Sequence, residues 1–427
     1  MTVKLLYGRA GLEVDLPEDL RTTIIRKRSM PVLPDPTAEV LRSLREPTRC
    51  RPLAELARRA RSACVAICDV TRPVPNGTLL PPLLDTLVAA GLPAERIRIL
   101  VATGLHRPNE GDELAEVVGS ADLVRRFAVE NHFARDDAAH VDLGTTSAGI
   151  PIRIDRRFVE ADLRIVVGLV EPHFMAGYSG GRKVVAPGLA HQDTILAFHS
   201  PRVIEHPSAA NCVLSGNPLH EAQLEILRAV GEVLALNVVI DESRRIGFVS
   251  FGRAEASHLE AVEFMRSYAE VPVGRRFRTV LTTSAGYPLD KTYYQTVKGM
   301  VGALGILAPG GTIVIASECS EGLGSREFRE SQLLLRRLGP EGFMSALTAR
   351  GLPRIDEWET EMLLRATRAG TVKLYAGGLD AASREATGVE VVDSVADAVA
   401  ESARASGDPE VAVIPEGPYV IPHAGTR

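Results

Sequence analysis

The sequence predicts an α/β protein of two domains with mostly parallel sheets, its active site in the cleft between them. Three observations carry this. The chain has 427 residues, enough for two or three domains at roughly 100–200 residues each. Short apolar runs of strand length alternate with helical stretches. The loops that follow several of those runs hold proline, glycine and reactive side chains.

The elements follow in order. The first fifty residues are rich in Pro, Arg and Asp, and their alternating start (Val3, Leu5, then Leu12, Val14, Leu16) predicts a small strand pair. Residues 63–68 read as a buried strand and 69–76 as a loop broken by Pro73 and Pro75. Helical spacing over 79–90 ends at Gly91, and 96–102 is the next strand, with its loop at 103–109. A helix is expected over 113–118 and a strand over 164–170. Near 271–278 Pro272, Gly274 and a basic cluster suggest a linker. Beyond it come strand 279–283, loop 284–290, helix 291–307, strands 312–316, 371–375 and 389–392, helix 395–405 and strand 411–414. The expected division is an N-terminal α/β domain over 1–270, a C-terminal α/β domain over 271–405, and a tail, 406–427, that returns to the first.

Composition excludes several functions. A formal charge of -5 provides no basic field, which argues against nucleic acid. The apolar runs are strand-sized and none approaches the ~20 residues of a bilayer crossing. The start lacks a basic stretch followed by an apolar region and a cleavage site, so no export signal is expected. Five cysteines, an odd number with no Cys-x-x-Cys pair, read as reduced thiols, and the cytoplasm is the expected compartment.

Reactive residues collect where strands end. The 63–68 strand empties into Asp69-Val-Thr-Arg-Pro, which brings Asp69, Thr71 and Arg72. Arg72 could be solvated or paired with Asp69, but its fork also suits a carboxylate or phosphate. The next strand leads to His106 and the third to His173. Either could be structural, yet two imidazoles at successive strand ends could take and return a proton near neutral pH. Lys183 follows Ser179, Gly180 and Gly181 in a turn that is either generic or a phosphate cradle with a lysine beside it. His199 alone makes no metal site, and no His-Glu-x-x-His motif accompanies it. Tyr294, Gln295 and Lys298 can share a helix face, solvated or functional. Trp358, the single tryptophan, sits among acids and could be a core anchor.

Taken together, Asp69-x-Thr-Arg-Pro-x-Pro, Thr-Gly-Leu-His106-Arg, the long Pro-His173-x-x-Ala-Gly-Tyr-Ser-Gly-Gly-x-Lys183-x-x-x-Pro-Gly and His199 resemble the nickel-pincer-nucleotide lactate racemase family. Tyr294-Gln295-x-x-Lys298 and Trp358 extend the match to both domains. The resemblance implies racemisation or epimerisation of a small 2-hydroxy acid. It implies a pyridinium mononucleotide cofactor bearing two sulfur donors, with Ni(II) bound to both sulfurs and a ring carbon, made by cofactor biosynthesis proteins. Lys183 would hold it covalently and His199 would be the protein's nickel ligand. Asp69, Thr71, Ser179, Gly180 and Gly181 would lie near the cofactor. His106 and His173 would be the acid/base pair, with Arg72, Tyr294, Gln295, Lys298 and Trp358 around the substrate.

The substrate could equally be malate or a larger hydroxy acid. A lysine beside a glycine-rich loop also suits pyridoxal phosphate, although no acidic partner for its pyridinium is evident. A nucleotide- or metal-binding protein without catalysis is the remaining alternative.

Overall fold

A computed structural model describes residues 1–425 and resolves the chain into two compact α/β units. The N-terminal unit comprises Ser29–Phe198 and Val213–Ser267; the C-terminal unit comprises Met1–Arg28, His199–Cys212 and Tyr268–Arg427.

The N-terminal unit is built on six strands, in the spatial order Ile246–Arg253, Leu234–Ile240, Leu163–Leu169, Ala63–Cys68, Ile97–Ala102, Ala128–Asn131. Only the Ile246–Arg253 edge strand runs antiparallel to its neighbour. Residues 63–67 are buried on both faces, as expected for a central strand covered by helices. From Ala63–Cys68 the chain winds outward through Ile97–Ala102 and Ala128–Asn131, then returns to lay Leu163–Leu169 on the other side. The strand order therefore reverses between Ala63–Cys68 and Leu163–Leu169. At such a switch point the flanking loops part and open a crevice at the strands' carboxyl ends.

A hairpin of His140–Thr145 and Pro151–Asp155 packs beside this sheet. At its end Asp155, fully buried, accepts from His132 Nδ1 (2.9 Å) and from Arg157 (2.6 Å). Burial pushes the Asp155 carboxyl up, but these two partners reverse the shift and hold it well below the usual range. A depressed carboxyl stabilises the fold above its unfolded value, about 3.9, and loses that contribution as the pH falls through the folded value. Asp155→Asn removes the carboxylate shared by buried His132 and half-buried Arg157 and is expected to cost about 3 kcal/mol at pH 7. The gap between wild type and variant in urea unfolding should narrow as the pH drops below about 4.

The C-terminal unit has a fully parallel six-stranded sheet: Glu390–Val392, Thr371–Tyr375, Leu307–Ala316, Phe277–Thr283, Glu410–Ile414, Arg21–Ile24. Its order reverses between Phe277–Thr283 and Glu410–Ile414, so it has a switch point of its own. The expected strand pair at the start, Thr2–Leu5 and Leu12–Asp15, is antiparallel and packs Val3, Leu5, Val14 and Leu16 into this unit's core.

Three expectations are corrected. Residues 1–28 and 199–212 belong with the C-terminal unit, because Arg21–Ile24 pairs with Glu410–Ile414 and Arg365 grips the later segment. The tail does not return to the first unit: Glu410–Ile414 is a central strand of the second, and Ile421–His423 pairs with Glu270–Pro272. Consequently 271–278 is partly strand rather than linker. No helix among the described residues is long and apolar enough to cross a membrane.

Candidate active site

The loops at the N-terminal unit's switch point carry most of the expected site. Asp69 begins the first of them and is 5% exposed. Its Oδ1 accepts from the Thr71 hydroxyl (2.6 Å) and backbone N–H (3.2 Å), which shapes the turn before Pro73. Its Oδ2 lies 2.6 Å from His106 Nδ1. Burial pushes the Asp69 carboxyl up; the charge and hydrogen bond of His106, the Thr71 hydroxyl and Arg72 outweigh it and hold the carboxyl below its ordinary value. Asp69 therefore stays ionised, and His106 donates to it from Nδ1.

His106 is delivered from the neighbouring strand end, where the Gly104 N–H donates to Gly188 O (2.9 Å) and the Thr103 hydroxyl to His132 O (2.7 Å). Arg72 approaches Glu171, with an Nε–Oε1 distance of 3.7 Å that is too long for a hydrogen bond, and its charge also acts on Asp69, in keeping with the sequence alternative. Cys68 registers the charges of Arg72, Asp69 and Lys183 together, and burial pushes its thiol up to about 11. It is not a thiolate at neutral pH.

His173 sits on a two-residue ladder, Pro172–His173 against Gly177–Tyr178. Its Nδ1 accepts backbone N–H groups of Met175 (3.3 Å) and Ala176 (3.1 Å). Ser179 closes this hairpin: its hydroxyl donates to Leu169 O (2.7 Å) and accepts from the Glu171 N–H (3.0 Å). The glycines have a packing role. Gly181 has φ 46° and its N–H donates to Asn237 Oδ1 (2.9 Å), while a Cβ on Gly168 would lie 2.8 Å from the Gly181 nitrogen. Only glycine at both places lets the loop press onto the Leu163–Leu169 strand. Lys183, partly exposed, follows in the helix Arg182–Val185.

Two arginines that flank the site motifs serve other roles. Arg107 forks onto Glu113 at 2.7 Å. Arg182, fully buried, donates to His258 Nε2 (2.7 Å) and to the carbonyls of Ala176 and Tyr178, bracing the loop that holds His173 and Lys183. Asn237 and His258 escaped sequence reasoning. The signal for Asn237 was a lone amide inside the apolar run Leu-Ala-Leu-Asn-Val-Val-Ile.

The remaining expected residues gather in the C-terminal unit. His199 stacks on Trp358 with ring centroids 4.6 Å apart, and the Trp358 Nε1–H donates to the Tyr294 hydroxyl (3.1 Å). Tyr294, Gln295 and Lys298 lie on the helix Tyr293–Ala303, all partly buried, and Lys298 Nζ donates to Gln295 Oε1. Arg365, from the same helix as Trp358 (Glu357–Ala369), donates to the carbonyls of Ala209 (2.7 Å), His206 (3.3 Å) and Ile204. One helix thereby fixes both the segment that begins at His199 and the ring stacked upon that histidine.

No group of three or more His, Cys, Asp or Glu is placed to hold a metal among the described residues. His199 offers one imidazole donor, which would fit a group that brings its own sulfur and carbon donors.

Residues 7–211 match the lactate racemase N-terminal domain family and 275–421 the lactate racemase C-terminal domain family. The chain is 35% identical over 373 residues to a lactate racemase of Thermoanaerobacterium thermosaccharolyticum, covering 85% of each. It is 36% identical over 330 residues to one of Lactiplantibacillus plantarum, covering 76% of each. The structure of the lactate racemase apoprotein from T. thermosaccharolyticum superposes with a TM-score of 0.91 at 31% identity, over 99% of this chain and 100% of that one. A Thermotoga maritima protein shares the fold at TM-score 0.66 and 19% identity, covering 91% of this chain and 98% of that one.

Proposed function

The chain belongs to the lactate racemase family, and we propose that it inverts C2 of lactate or a similarly small 2-hydroxy acid by moving a hydride from carbon while a histidine moves the hydroxyl proton. It is an isomerase of the 2-hydroxy acid racemase class. The observation that carries the mechanism is the 2.6 Å contact between buried Asp69 and His106, beside Arg72 and Lys183 at the switch point.

The hydrogen on C2 of a hydroxy carboxylate is a poor acid, because the neighbouring carboxylate already carries charge. Its loss as a hydride, with the hydroxyl proton going to a base, produces a planar 2-keto acid and avoids a dianion. No side chain accepts a hydride; a nickel-pincer nucleotide supplies that chemistry when bound. Lys183 would hold it covalently and His199 would bind the nickel. Thr71, Ser179, Gly180 and Gly181 would shape its surroundings through the loop packing described above. His106 would accept the hydroxyl proton at Nε2, with Asp69 stabilising the imidazolium, and His173 would face the same oxygen. Arg72, Gln295 and Lys298 would hold the substrate's carboxylate and oxygen atoms, and Tyr294 and Trp358 would wall it in. The cofactor would come from dedicated biosynthesis proteins, and five free thiols fit a cytoplasmic home.

The test is to purify the chain from a host that makes the cofactor and follow L-lactate by chiral chromatography. The expected result is an approach to equal D and L forms with about one nickel per chain. Fully loaded protein that leaves lactate, malate and phenyllactate unchanged would overturn the proposal.

A further inference from the structure

The two site histidines are wired in opposite senses. His106 meets ionised Asp69 through Nδ1, so its neutral form carries the proton there and leaves Nε2 unprotonated. His173 receives the N–H groups of Met175 and Ala176 on Nδ1, so that nitrogen must be bare and the neutral proton sits on Nε2. We infer that the pair is unequal: His106 alone takes and returns the hydroxyl proton, while His173 stays neutral and donates a hydrogen bond from Nε2 to the same substrate oxygen. This rests on the racemase function proposed above and deepens it.

The backbone enforces the difference. For His173 to become an imidazolium, Nδ1 would have to gain a proton pointing at two N–H donors. Met175 and Ala176 are 2% and 0% exposed, so water cannot take over their N–H groups. At Nε2 the neutral ring already holds its proton and cannot accept another. His106 faces the reverse situation, because every proton it accepts at Nε2 is stabilised by the Asp69 carboxylate across Nδ1.

The proton balance then closes on one residue. The hydroxyl proton would pass to His106 Nε2 as C2 gives up its hydrogen with both bonding electrons, and His106 would give the same proton back to oxygen as C2 regains them; a bound cofactor would supply the hydride acceptor. Each turnover ends with both histidines as they began, in either direction, and no reset step is needed. A two-base enzyme would finish every inversion with its protons exchanged.

Two measurements test this separately from the function. Ring-15N histidine, read by long-range proton–nitrogen correlation in apo and loaded protein and assigned with H106Q and H173Q, should show Nδ1 protonated at His106 and Nε2 protonated at His173. A protonated Nδ1 at His173 would overturn the inference. In loaded enzyme His173→Gln keeps an N–H donor near the Nε2 position but cannot titrate. It should stay within about tenfold of wild-type kcat, whereas His173→Ala and His106→Gln each lose about a hundredfold or more. His173→Gln as inactive as His173→Ala, with its other histidine resonances unmoved, would also overturn it. If wild-type loaded enzyme fails to racemise, the function falls while the tautomers can still be read.

Discussion

Replacing Lys183 with alanine is expected to leave the chain with no added mass and no measurable racemisation. The lysine lies in the switch-point loop, and its charge acts on the buried Cys68 thiol along with those of Asp69 and Arg72. Its backbone is fixed by a hydrogen bond to Gly180 O (2.9 Å) and by the adjacent buried Arg182. A covalent bond needs the amine itself, so Lys183→Arg separates two roles. It keeps the positive charge yet should also show no added mass and no turnover, because a guanidinium is a poor nucleophile at neutral pH. Intact-mass spectrometry on protein from a cofactor-making host reads the result, with nickel content measured in parallel. An undiminished mass addition in Lys183→Arg would place the attachment elsewhere.

Asp69→Asn should lower kcat by about 10²–10⁴ with the fold intact. The substitution preserves shape but changes which groups donate. An amide nitrogen facing His106 Nδ1 would donate to it, driving the ring proton to Nε2 and removing the base. An amide oxygen there would keep the tautomer but lose the charge that stabilises the imidazolium. The hydrogen bond to Thr71 keeps the turn in place in either case. Because the effect falls on proton transfer, kcat should drop far more than KM rises. Equal losses in both would point instead to a displaced loop.

The parallel strands were legible wherever burial on both faces leaves an uninterrupted apolar run. The 63–68 strand falls where the periodicity put it, and the 164–170 strand within one residue of it. The strand Leu234–Ile240 escaped because Asn237 interrupts its apolar run, and the reason for that amide is Gly181 in a distant loop. Arg21–Ile24 escaped because its partner, Glu410–Ile414, lies at the other end of the chain. In the site, residue types and strand-end positions were readable from local motifs. Their pairings were not. Nothing in the sequence tells that Asp69 turns to His106 while Arg72 turns to Glu171, since these contacts are set by strand order. The different wiring of the two histidines was likewise hidden, because the donors to His173 are main-chain groups of its own hairpin.

The central claim is that C2 inverts by hydride transfer while a histidine handles only the hydroxyl proton. It is tested most directly with L-lactate deuterated at C2, incubated with loaded enzyme in ordinary water and resolved by chiral chromatography with mass detection. D-lactate should appear with the deuterium still on C2, since the hydrogen never joins the solvent-exchangeable pool. D-lactate that has lost its label to water would show proton abstraction from carbon and contradict the account.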